Sequence, residues 1–162
     1  MDLSRLCAPM VNQSDAPFRY LVRKYGASTV YSQMLHANSI VNDDTYLDSF
    51  LPVADWTVFD EEYARPLVVQ VCGNDPSVLA LAVRRICMTR RVDGIDFNLG
   101  CPQDRAREER YGSYLLDKHL WPLVFLCTRA MHETLANFNI PLFCKIRLID
   151  GKYHNLTRTC HN

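Results

Sequence analysis

Pro66-Leu67-Val68-Val69-Gln70-Val71-Cys72 is a run of apolar and β-branched residues broken by one amide. Such a run reads as a strand buried on both faces. Strands of that kind belong to parallel sheets covered by helices. The flanks agree. Downstream, Asp75-Pro76 opens a helix that runs to about Met88, and Gly94 to Leu99 is the next strand. A long helix over Leu120–Phe138 follows, with Pro122 in its first turn, and then a strand over Pro141–Arg147. Upstream lie a short strand from Leu6 to Met10, a helix over Ala16–Tyr25 and a strand from Ser28 to Met34. That first helix has Asp15 as N-cap and Gly26 just past its end. Residues 40–63 are acidic and irregular and read as a long connection with some helix.

Repeated strand–helix units fit either a doubly wound sheet or a (β/α) barrel. No Gly-x-Gly-x-x-Gly follows the first strand, which weighs against a dinucleotide-binding unit. The distinctive side chains stand instead at strand C-terminal ends: Pro9 and Met10, Gln70, Asn98 with Cys101, and Lys145. Barrel enzymes gather their catalytic residues at that face, and a whole barrel takes about 250 residues. The fold expected is α/β, a partial (β/α)8 TIM barrel with about five of its eight strands. Residues 1–148 form that portion, and residues 149–162 read as an irregular tail with no helix or strand pattern.

The 162 residues carry 18 basic and 18 acidic side chains, so net charge gives no argument for nucleic-acid binding. No apolar run is long enough to span a membrane, and the N-terminal residues show no secretory signal. Seven cysteines occur without a Cys-x-x-Cys pair, so no zinc site is expected. Reduced, buried thiols in the cytoplasm or nucleus are the expectation. The sequence is silent on oligomeric state.

Cys101 is the residue most open to chemistry. Gly100 lets the chain turn after the strand and Pro102 stiffens its exit, so the thiol lies on a strand-end loop. Thiols titrate near about 8.5 and can therefore donate a proton at neutral pH. Lys145, a cation in an apolar strand, either extends its head to water or holds an anionic group. Gln70 and Asn98 need hydrogen-bond partners, which neighbouring backbone could supply. Asp93 and Asp96 read as strand-end turn residues, and His36, His119 and His132 lack metal-ligand spacing.

Taken together, the motifs resemble the dihydrouridine synthases, flavin enzymes that reduce selected uridines of tRNA. They are Ala8-Pro9-Met10-Val11, Phe18-Arg19, Arg23-Lys24-Tyr25-Gly26, Tyr31-Ser32-Gln33-Met34 and Pro66 to Gln70. Ile95 to Gln103, Tyr111-Gly112 and Cys144-Lys145-Ile146-Arg147 complete the set. Asn98-Leu99-Gly100-Cys101-Pro102, with Gln70 upstream and Lys145-Ile146-Arg147 downstream, is the most specific part. Cys101-Pro102-Gln103 and Tyr111-Gly112 look closest to the eukaryotic type-one enzymes acting on D-loop uridines.

The resemblance implies FMN as cofactor, NADPH as electron donor and tRNA as partner. It implies that Pro9, Met10 and Val11 lie against the flavin and that Gln70 bonds its ring edge. Lys145 would sit where negative charge gathers on reduction, Asn98 would orient the uracil, and Cys101 would protonate C5 after hydride reaches C6. No metal is implied. Glu109 and Arg110 stand where the family usually has Gly and His, and a glutamate adopts positive φ only at a cost. The family continues beyond Lys145-Ile146-Arg147 with a strand ending in His-Gly-Arg, phosphate-binding glycine turns and a helical tRNA-gripping domain. Residues 149–162 do not follow that pattern, so the chain by itself is expected to hold FMN weakly. The competing reading is a truncated product without catalysis, acting as an interaction protein or as no more than a fragment. A flavin barrel acting on dihydroorotate or an alkene is disfavoured by the setting of Cys101.

Overall fold

The computed structural model describes residues 1–52 and 65–147. The later part of the acidic connection and the tail over residues 149–162 lie outside the described residues.

The strands are β1 (Leu6–Cys7), β2 (Thr29–Tyr31), β3 (Leu35–His36), β4 (Leu67–Cys72), β5 (Gly94–Leu99) and β6 (Leu142–Ile146). Every pair between them is parallel. The order is β1-β2-β4-β5-β6, with β3 also on β4. Each main strand therefore adds beside its predecessor, always on the same side. A doubly wound sheet reverses direction at its switch point, whereas a barrel does not. This order decides between the two architectures left open by the sequence. The protein is a curled parallel half-barrel, part of a TIM barrel.

β2 and β3 are one strand interrupted by a bulge. From Tyr31 to Leu35 there are four steps, but their partners Val68 and Val71 are only three apart. The extra residue falls at Ser32–Met34, within the single strand read over residues 28–34. The first strand is also shorter than expected, because Ala8 to Met10 leave the ladder.

The helices needed for the site are α1 (Ala16–Lys24), α2 (Ala37–Asn42), α3 (Tyr46–Phe50), α4 (Pro76–Thr89), α5 (Asp104–Glu108) and α6 (Trp121–Ala136). Their starts follow from local chemistry. The Asp15 carboxylate accepts from the Phe18 N–H, and the Asp75 carboxylate accepts from the N–H groups of Ser77 and Val78. Pro17, Pro76 and Pro122 occupy first-turn positions where no amide hydrogen is required. Gly26, at φ +96°, turns the chain out of α1.

Alternation along the strands separates two faces. Leu67, Val69 and Val71 of β4, with Ile95, Phe97 and Leu99 of β5, join the core against Leu79, Val83, Ile86, Met131 and Leu135 of the helices. Val68, Gln70, Gly94, Asp96 and Asn98 take the opposite, inner face by the same alternation. A one-residue slip would drive Gln70 and Asp96 into the apolar layer, so packing fixes the register.

The strand carrying Lys145 is not buried. Cys144, Lys145 and Ile146 are exposed, because β6 is the outermost strand of the described sheet and its inner face lies open. The cysteines are likewise mixed: Cys72 and Cys127 are buried, Cys7, Cys87 and Cys101 half-buried, and Cys144 exposed. No helix among the described residues is long and apolar enough to cross a membrane.

Candidate active site at the strand C-terminal edge

Because all strands run the same way, their C-terminal ends share one edge. Register sets Gln70 opposite Asp96, and Asn98 opposite Lys145. Three buried polar side chains of the inner face then form a chain. Gln70 Nε2 donates to Asp96 Oδ2 at 2.6 Å. Asn98 Nδ2 donates to Gln70 Oε1 at 2.9 Å. Asn98 Oδ1 accepts from the backbone N–H groups of Gly100 and Cys101 at 3.1 and 3.0 Å. The partners that Gln70 and Asn98 require are thus each other, Asp96 and the Cys101 loop.

The bulge contributes as well. The Ser32 hydroxyl accepts from the Gln70 backbone N–H at 3.1 Å, taking the place of a ladder carbonyl. Next to it, Gln33 Oε1 accepts from the Asn12 N–H at 3.0 Å, which ties down the loop after β1. Bulges recur beside active sites because they re-aim side chains in this way.

Cys101 begins the loop beyond β5. It packs with Tyr114 against a small cluster of Met34, Cys72, Ala106 and Tyr111. Its carbonyl accepts from both the N–H and the hydroxyl of Ser113, each at 3.0 Å. The loop is clasped from outside by Asn74, whose Nδ2 donates to the carbonyls of Glu109 and Arg110. Arg105 Nε donates to Glu109 Oε1 at 2.7 Å, and His36 Nδ1 lies 3.5 Å from Glu109 Oε2. The His36 ring meets Tyr111 edge-on. The positive φ angles of the loop fall on Arg110 (54°) and Gly112 (67°), not on Glu109. The glutamate at this position therefore carries no backbone strain.

The structure brings Gln70, Asn98 and Cys101 into one hydrogen-bonded chain and sets Lys145 beside Asn98 in register. Pro9, Met10 and Val11 occupy the loop after β1 at the same edge, with Met10 and Val11 exposed. They reach the chain only indirectly, through Asn12, Gln33 and Ser32. Among the described residues no three His, Cys, Asp or Glu side chains converge as a metal site would require.

Burial shapes the titrations. Desolvation raises the Asp96 carboxyl from 3.8 to about 6, against the opposing pull of the Gln70 hydrogen bond and the Lys145 charge. Tyr31, near Asp96, is pushed up to about 12, chiefly by burial. Burial likewise pushes Tyr111 up to about 12 and drives the Cys72 thiol well upward, so both are neutral around Cys101. Burial first, then the Arg105 charge, lowers His36.

The Asp96 shift has a testable sign. A carboxyl raised by folding stabilises the native state below its unfolded pKa, and that stabilisation is lost as pH rises through the folded value. Between about pH 4 and pH 7, wild type should lose on the order of 2–3 kcal/mol relative to the non-titrating Asp96→Asn variant. Urea unfolding across that range measures it. A pH-independent difference between the two proteins would remove the argument.

Asp96 is the residue that sequence reasoning missed. It reads as a turn residue beside Gly94, yet it lies mid-strand, 1% exposed, facing Gln70. The available signal was its alternation with Asn98, two residues on and on the same face.

Comparison with known proteins places this edge in context. The family model described as dihydrouridine synthase matches residues 6–162. The chain belongs to the dihydrouridine synthase family. It is 37% identical over 148 residues to tRNA-dihydrouridine(16/17) synthase of Saccharomyces cerevisiae, covering 91% of this chain and 32% of that protein. It is 41% identical over 144 residues to the tRNA-dihydrouridine(16/17) synthase-like protein of Rattus norvegicus, covering 87% and 30%. A tRNA-dihydrouridine(20a/20b) synthase-like protein of Homo sapiens is 39% identical over 116 residues, covering 72% and 34%. The names of all three carry NAD(P). The chain thus spans about a third of the length of the curated relatives it matches. Within the dihydrouridine synthase family, the matched region includes the whole half-barrel and its Cys101 loop.

Proposed function

We propose that this chain supplies the half-barrel of an FMN-dependent, NADPH-using enzyme that reduces uridine to 5,6-dihydrouridine in tRNA, at D-loop positions. The observation that carries the reading is the chain Gln70–Asn98–Cys101, with Lys145 beside it, at the strand ends of a dihydrouridine synthase family member.

The inner edge fits the ring of such a cofactor. It offers exposed apolar side chains from Met10 and Val11 and an exposed ammonium at Lys145, with the Gln70 amide buried beneath them. Pro9, Met10 and Val11 would line one side and exclude water. Gln70 would meet the polar ring edge, and Lys145 would supply a fixed positive charge where electron density accumulates. When bound, FMN supplies the hydride that adds to C6 of the uracil.

The residues of the chain do the rest. Asn98 orients the uracil with whatever amide hydrogen Gln70 does not take. Cys101 holds a proton on Sγ and delivers it to C5, completing addition across the C5–C6 bond. The neutral neighbours Tyr111 and Cys72 keep the surroundings of that thiol free of added charge. The target base must leave its stack to reach this edge.

The test is direct. Full-length protein, incubated with NADPH and unmodified tRNA, is expected to convert uridine to dihydrouridine, read by mass spectrometry of nucleosides from the digested tRNA. Expression in cells lacking their own D-loop enzyme is expected to restore the modification. An FMN-loaded protein that oxidises NADPH and leaves every tRNA uridine unreduced would refute the proposal.

A further inference from the structure

We infer that Asp96 is a positioning residue whose buried carboxylate sets the direction of the Gln70–Asn98 amide chain and, through it, the seat of Cys101. The inference rests on the reading of Cys101 given above and extends it to a residue that meets neither substrate nor cofactor.

The argument turns on the ambiguity of amides. A glutamine or asparagine side chain presents an acceptor on one side and a donor on the other, and can be turned end for end. Gln70 and Asn98 alone permit two orientations of the chain. In one, Asn98 Oδ1 faces the loop and accepts from the N–H groups of Gly100 and Cys101. In the other, Asn98 Nδ2 would face those same N–H groups, donor against donor, and the loop would lose its anchor.

Asp96 disfavours the second orientation from the far end of the chain, as the loop N–H groups do from the near end. An ionised carboxylate only accepts, so Gln70 must turn Nε2 toward it, as observed at 2.6 Å. Gln70 Oε1 is then committed to Asn98 Nδ2, and Asn98 Oδ1 to the loop. One acceptor thereby fixes the next two side chains. The setting is buried on all sides: Gln70 and Asp96 are each 1% exposed, and Asn98 is 8% exposed. Bonds within such a network count for more than in water, and so does a misdirected member.

The cost of the arrangement argues that it is retained for direction. Asp96 Oδ1 meets no donor in full hydrogen-bonding geometry among the described residues, and the Lys145 backbone N–H offsets its burial only weakly. A carboxylate half satisfied in the interior is unfavourable, and an apolar side chain would suit strand β5 better. The raised titration of Asp96, to about 6, reflects that cost and still leaves the group mainly ionised at neutral pH.

The experiment varies the acceptor at position 96 in the full-length enzyme. Asp96→Ala removes the acceptor and frees Gln70 to turn. It is expected to lower kcat for dihydrouridine formation by about tenfold or more, with KM for tRNA and flavin content changing far less. Asp96→Asn keeps an oxygen within reach of Gln70 Nε2 but can equally turn a donor toward it, and is expected to recover only part of that loss. If Asp96→Ala fails to fold, Asp96→Val, which suits a strand and equally lacks an acceptor, takes its place. Wild-type kcat in the acceptor-less variant overturns the inference. So does an Asp96→Asn enzyme as fast as wild type, because an amide that presents either end leaves the direction of Gln70 unset. Cys101→Ala, run alongside, keeps the two readings apart. If it is inactive while Asp96→Ala is fully active, only the Asp96 assignment fails. If it is fully active, the reading of Cys101 beneath it fails.

Discussion

Alanine at position 101 is expected to abolish dihydrouridine formation while leaving the flavin bound and still reducible by NADPH. The loop that carries Cys101 is held by its backbone: its N–H reaches Asn98 Oδ1, and its carbonyl takes two bonds from Ser113. None of these uses the thiol. The substitution therefore removes the proton donor and leaves the scaffold in place. Loss of a general acid slows catalysis by about 100- to 10,000-fold. Cys101→Ser should rank beside alanine, because a hydroxyl is a far weaker acid than a thiol. The decisive measurement is paired: flavin reduction by NADPH in stopped flow, and dihydrouridine formed per enzyme with tRNA. Equal loss in both would show that the variant merely fails to hold its cofactor.

Gly112→Ala carries the second large effect, and its origin is steric. Gly112 sits at φ +67°, where side chains other than glycine are strained by about 1–2 kcal/mol. A Cβ there would also lie 2.6 Å from the Cys101 carbonyl oxygen and 2.9 Å from its Cβ. Backbone cannot give way as a flexible side chain can, so the Cys101 loop must move. A shift of the thiol by even about 1 Å costs on the order of 100-fold in rate. Gly26→Ala is the matched control. It too replaces a glycine at positive φ, but its Cβ would meet only the Arg5 side chain at 3.4 Å, far from the loop. Both variants should lose stability, and only Gly112→Ala should lose activity. Equal activity in the two would remove the steric account.

Much of the fold was legible because its determinants are local. Asp15, Asp75 and Pro122 mark helix starts, and the apolar run from Leu67 to Cys72 marks a buried strand. The choice of barrel over doubly wound sheet was not local. It lies in the order of strands, which no periodicity encodes, and only the pairing of β1-β2-β4-β5-β6 decides it. The bulge at Ser32–Met34 escaped for the same reason, since an extra residue is visible only against its partner strand. At the site, Cys101, Gln70, Asn98 and Lys145 were named from their strand-end positions. Their mutual bonding was not, nor was the role of Asp96, whose meaning depends on Gln70 lying across from it. That β6 lies uncovered was not legible, because an apolar strand sequence does not say whether a strand is covered.

The strand order has a consequence for how the molecule is made. Each main strand pairs with one already synthesised, so the sheet can grow in the direction in which the chain leaves the ribosome. The surroundings of Cys101 obey the same rule. His36, Asn74 and the bonds from Asn98 all lie upstream of the loop they hold or within reach of it, and Ser113 follows by a dozen positions. The bonds from Asn98, Asn74 and Ser113 can therefore form before β6 brings the Lys145 charge to the same edge, and Arg147 adds its bond to the Gly100 carbonyl afterwards. In a nascent chain, the proton-bearing half of the site would precede its cationic half.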